Sequence, residues 1–130
     1  MSMNDPIANA ISHILNCERL GILECRIENV SKLLKKILDI MKENHYIGDY
    51  KVTTHNNKQT AIINLIGNIN KCGAIKPRFS VEWDEFEKFE KRYLPAQGFG
   101  ILIISTNKGL MTHTQAFEKK LGGRLIVYCY

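Results

Sequence analysis

Five consecutive residues, Ser105-Thr106-Asn107-Lys108-Gly109, gather two hydroxyls, an amide, a positive charge and a flexible backbone. Such a set can donate and accept at sugar hydroxyls, base edges and phosphate oxygens, and glycine lets a partner approach the main chain closely. It follows Ile101–Ile104, a short unbroken aliphatic run of the kind a buried strand shows. Thr112 and Gln115 stand at capping-box spacing, which predicts a helix from Thr112 to the glycine pair Gly122-Gly123. The polar turn is therefore expected between a rigid strand and a helix N-terminus, where free amides favour anions.

Other chemistries find less support. Ser105 lacks the Gly-x-Ser-x-Gly elbow of a hydrolase nucleophile, and Gly98-Phe99-Gly100 lacks both phosphate-loop signatures. His13, His45, His55 and His113 are scattered and read as surface or internally satisfied histidines. Cys17, Cys25, Cys72 and Cys129 show no Cys-x-x-Cys and no nearby histidine at ligand spacing, so four free thiols are expected. No catalytic residue, metal, cofactor or small-molecule substrate is expected.

Lysine and arginine number 18 against 13 acidic residues, a net charge of +5 over 130 residues. This balance favours a polyanionic partner. A chain of this length buries roughly two thirds of its unfolded surface, enough for a real core in one domain or two small halves. Met1–Gly21 has no continuous apolar signal core, and no stretch approaches the ~18 residues of a spanning helix, so the expectation is a cytoplasmic protein without a membrane partner.

The elements that must position the turn follow in order. Asp5-Pro6 opens a helix whose apolar face is Ile7, Ile11, Ile14 and Leu15, closed by Gly21. Leu23–Ile27 alternates like a half-buried strand, and Ser31 caps a second helix with Leu33, Leu34, Ile37, Leu38 and Met41 inward. Tyr46–Thr53, a turn at His55–Lys58, and Thr60–Ile66 read as a hairpin. Asn68–Phe79 reads as a linker. Trp83, Phe86 and Phe89 recur every three residues among acids and bases, giving a short amphipathic helix with its aromatics packed inward. Arg124–Tyr130 is a strand whose natural partner is Ile101–Ile104. The expected fold is α+β: an α-β-α-β-β subdomain over residues 1–68 and a mostly β subdomain with short helices over 69–130.

Along this framework, Asp5–Ala10, Ser31–Leu33, His45–Gly48, Asn70–Phe79, Phe89–Pro95, Phe99–Ile101, Ser105-Thr106 and Gly122-Gly123 closely resemble small-subunit ribosomal protein eight. The likeness is to the archaeal and eukaryotic type and runs collinearly from Asp5 to Tyr130. The resemblance implies a two-domain, non-enzymatic protein that binds small-subunit ribosomal RNA in its central domain, helps organise assembly, and touches neighbouring ribosomal proteins. It implies a principal contact through Ser105, Thr106, Asn107 and Gly109. Asn107 stands where the family often has a second serine, and Arg124 where bacterial members have glutamate.

The expected RNA-facing set is Ser105, Thr106, Asn107, Lys108, Gly109, Met111, Thr112, Gly122, Gly123 and Arg124, with Lys32, Lys36, Lys71, Lys76 and Arg78 neutralising phosphates. Small hydroxyl residues suit RNA, whose shallow minor groove displays 2′-hydroxyls. The alternative within binding proteins is a free translational regulator acting on a messenger RNA.

Overall fold

The computed structural model describes residues 6–76, 78–96 and 99–130, so the expected Asp5 cap, Pro77 and the Gly98 helix stop lie outside it. The chain divides into two compact units, one ending at Ile69 and the other beginning at Asn70.

In the first unit, α1 (Pro6–Arg19) is followed by β1 (Glu24–Glu28), α2 (Lys32–Glu43), β2 (Ile47–His55) and β3 (Lys58–Leu65). The order is the expected α-β-α-β-β. The strands form one antiparallel sheet, β1-β3-β2, with β3 central because its own hairpin supplies one neighbour and β1 the other. Ile11, Ile14, Ile37, Leu38, Met41, Ile47 and Ile63 are fully buried. Ile40 joins the buried face of α2, whereas Leu33 on α2 and Leu15 on α1 are only half-buried. Ser31 caps α2 by accepting the Leu34 N–H at 3.1 Å.

Both helices end alike. Gly21 at φ +73 closes α1, with Gly21 N–H donating to Glu18 and Ile22 N–H to Cys17. His45 takes the same left-handed position after α2 at φ +64, with Tyr46 N–H donating to Met41. The amide of Asn68 then donates to the His45 carbonyl at 2.8 Å, which ties this corner down.

The second unit contains β4 (Cys72–Ala74), β5 (Ser80–Val81), α3 (Phe86–Tyr93), β6 (Ile101–Thr106), β7 (Gly109–Thr112), α4 (His113–Glu118) and β8 (Gly123–Cys129). Its antiparallel sheet runs β4-β8-β6-β7, with β5 also on β8. The expected pairing of the last strand with Ile101–Ile104 is present.

Three expectations change here. Asn68–Phe79 is more than a linker, because Cys72–Ala74 pairs with β8 and Tyr130 exchanges backbone bonds with Lys71. Three residues are too few to show a period, so this strand has no sequence signal of its own. The amphipathic helix starts only at Phe86, and Trp83 lies before it, exposed and 5.7 Å from the more exposed Phe117 ring. Finally, Ser105–Gly109 does not lead straight into a helix: β7 intervenes, and the turn is the tip of the β6–β7 hairpin.

Candidate nucleic-acid interface

Alternation in four neighbouring strands divides this sheet into two faces. Leu102, Ile104, Met111, Leu125 and Val81 point into the core cluster beneath Phe86 and Phe89 of α3. The residues that alternate with them therefore point the other way. Register places Ser105 opposite Leu110 on β7 and Arg124 on β8, and Arg124 opposite Ser80 on β5. The result is a row, Leu110–Ser105–Arg124–Ser80, of which Ser105, Arg124 and Ser80 are exposed. A hydroxyl on each side of a guanidinium offers donors and acceptors to 2′-hydroxyls and a planar cation to phosphate or a base edge.

The backbone under this row is held tightly. Ile101–Ile104 are all buried, and a shift of register against β8 occurs between Ile103 and Ile104. Gly123 sits across from Thr106, and a Cβ there would collide with the Ser105 carbonyl oxygen. At Gly122 a Cβ would meet the Val81 oxygen at 2.6 Å. The glycine pair thus permits close strand approach and does not stop the helix. That stop is Lys120, left-handed at φ +55, with Leu121 N–H donating back to Ala116.

At the tip, the Thr106 hydroxyl donates to the Gly109 carbonyl at 2.7 Å and accepts the Lys108 N–H at 3.2 Å. It braces the turn, leaving the exposed Asn107 and Lys108 to project from it. Gly109, at φ +111, returns the chain to β7 where a side chain would be strained. Thr112 caps α4 in a complete capping box with Gln115 and is buried. Met111 lies in the core cluster. The side chains of Met111 and Thr112 are therefore committed to the interior, because β7 alternation and the cap turn them inward.

The basic candidates fall in separate places. Lys76 and Arg78 are exposed between β4 and β5, and Arg78 lies two residues from Ser80. Lys71 is exposed beside Tyr130, at the far end of β8 from Arg124, about 20 Å away at the usual rise per residue. Lys32 and Lys36 are exposed on α2, in the other unit. Lys119 is exposed, and Lys120 Nζ lies 5.7 Å above the Trp83 ring.

A group missing from the sequence reading is the aromatic run at the other end of the second unit. Arg92 lies over Phe79 at 5.2 Å and over Tyr93 at 5.4 Å, Tyr93 stacks on Tyr128 at 5.4 Å, and Tyr128 on Tyr130 at 6.4 Å. Tyr128 and Tyr130 at spacing two in the last strand were its only local signal.

Opposite in character is a cleft of about 300 Å³ lined by Trp83, Asp84, Glu87, Glu90, His113 and Phe117. At its floor the buried His113 accepts the Leu102 N–H through Nδ1 at 3.1 Å, which leaves Nε2 as the donor to Glu90 at 3.2 Å. Burial holds this imidazole below its usual range, against the pull of the Glu90 carboxylate. Carboxylates here would repel a polyanion. They lie on or before α3, which covers the face turned away from Ser105 and Arg124.

No helix among the described residues is long and apolar enough to cross a membrane. The family model described as ribosomal protein S8 matches residues 5–130. With that match covering nearly the whole chain, the protein belongs to the ribosomal protein S8 family, a non-enzymatic family of small-subunit ribosomal proteins that bind ribosomal RNA and other ribosomal proteins.

Proposed function

We propose that the chain binds the central domain of small-subunit ribosomal RNA directly, as a primary binder that helps organise the subunit platform during assembly. The observation that carries this reading is the exposed row Ser105–Arg124–Ser80, beside the Asn107-Lys108 tip, on the sheet face away from the acidic helix. Its chemistry suits an irregular RNA helix, where side chains reach 2′-hydroxyls and base edges in the shallow minor groove. Lys108, Lys76 and Arg78 add charge that positions phosphates without reading sequence.

Thr106 and Gly109 serve the site by shaping the tip, and Gly122 and Gly123 by letting β8 approach β6. Lys32 and Lys36 supply a second, independent set of phosphate contacts from α2. The acidic cleft suits a protein neighbour in the subunit.

The test is competition binding at fixed salt, because phosphate-driven affinity falls steeply with ionic strength. The protein should retain labelled central-domain RNA in the presence of excess unlabelled transcripts of other ribosomal RNA domains and release it only to unlabelled central-domain RNA. Tagged protein should also sediment with small subunits in cells. Equal displacement by every transcript would overturn the central-domain assignment, and recovery with messenger RNA alone would favour the regulator.

A further inference from the structure

We propose that His13, Cys17 and Cys25 form a binding site for one zinc-class divalent cation inside the first unit. The imidazole and the two thiol sulfurs offer ligand atoms that all lie within 4.8 Å of one another. Cys17 Sγ and His13 Nε2 are 3.9 Å apart. Tetrahedral zinc, with bonds of about 2.3 Å to sulfur and 2.0 Å to nitrogen, holds neighbouring ligand atoms roughly 3.5–3.8 Å apart. The cluster thus needs only small side-chain adjustments to close around a metal.

The fold explains how three residues that lack a motif spacing come together. His13 and Cys17 are four apart on α1, one above the other on the same face. Cys25 comes from β1, whose alternation turns Cys25 and Ile27 inward and the glutamates and Arg26 outward. Pairing of Cys25 with Ile63 on the central strand holds its backbone in place. The sequence expectation of four free thiols rests on the absence of Cys-x-x-Cys and of a nearby histidine at ligand spacing. It passed over a ligand pair on a helix with the third donor across a turn.

The donor set selects the ion. Two thiolates and an imidazole favour borderline and soft metals over magnesium or calcium, which take oxygen ligands. Each thiol gives up its proton to bulk water on ligation, and two thiolates with a dication are neutral together. That matters because Cys17 and Cys25 are 5% and 1% exposed. His13 is exposed, so the ion has a path in and a solvent-side position for a fourth, water ligand. Among the described residues, Cys72 and Cys129, opposite each other on β4 and β8, belong to no such group of three donors.

Cobalt(II) titration of the reduced full-length protein tests the site. One equivalent should produce intense tetrahedral visible bands and a near-ultraviolet thiolate band, both removed by zinc. His13→Ala, at an exposed position that leaves the core intact, should weaken cobalt binding by about tenfold or more. Cys25→Ser should cut the thiolate band by half or more, since Cys17 alone remains to give it, with circular dichroism confirming the fold, while Cys72→Ser should leave the titration unchanged. A weak octahedral spectrum in the wild type, or identical titrations for wild type and His13→Ala, would overturn the proposal.

Discussion

The two units each carry a hairpin closed by a two-residue tip, and they solve the turn differently. In the first, Asn56 and Asn57 both take left-handed backbone, φ +51 and +64, between the paired His55 and Lys58. This is the geometry of a primed turn, made by residues that tolerate it alone. Beyond Val52 the β2 arm is exposed through His55. In the second, Asn107 and Lys108 stay out of the left-handed region, Gly109 alone enters it, and the Thr106 side chain bridges the turn. Behind that tip stand four consecutive buried residues and a third strand on the far side of β6. One hairpin has a tip set by the left-handed backbone of its two asparagines, although β1 flanks its β3 arm as far as Thr60. The other is a braced corner of a sheet, the support that the proposed RNA contact of Ser105 relies on.

The largest expected effect lies under the braced corner. Gly123→Ala would force a Cβ into the Ser105 carbonyl and should destabilise the second unit by about 3 kcal/mol or more, read by denaturant unfolding. A mild loss there would mean the sheet yields, and the contrast between the hairpins would weaken. Thr106→Val keeps the shape and removes the brace. It should cost about 1 kcal/mol, and RNA affinity should fall through the turn, while Thr106→Ser keeps both.

Acid should separate the units further. Burial depresses the His113 imidazole in the folded chain, so below its ordinary value of 6.5 the unfolded chain takes a proton that the folded chain resists. The stability tied to this group is complete above that pH and is lost as pH falls toward the depressed value. His113→Gln should flatten the acid limb of melting temperature against pH. The smallest effect belongs to the free arm: Asn57→Gly should stabilise by about 0.5 kcal/mol and leave RNA affinity unchanged.

Much of this fold was legible because amphipathic period and cap chemistry agreed with tertiary packing. Ser31, the α2 stripe, the β2–β3 hairpin and the Thr112–Gln115 box all carry local signals that the structure keeps. What was illegible depends on distant strands. Gly122-Gly123 looked like a helix stop because glycine commonly serves there, yet Lys120 pays that strain and the glycines answer to Val81 and Ser105. Thr106 looked like a binding hydroxyl, since a sequence does not show which hydroxyls their own turn will consume. Met111 gave no hint of its face until β7 was placed between the turn and α4. The pairing of Ser105 with Arg124, nineteen positions on, exists only in the register of β6 with β8.

Affinity of the Ser105→Ala, Arg124→Ala double variant for a central-domain RNA helix is the most direct measurement. The braced-corner account predicts a loss of about 2–5 kcal/mol at fixed salt, with denaturant stability unchanged because both side chains are exposed. Wild-type affinity in a folded double variant would contradict it.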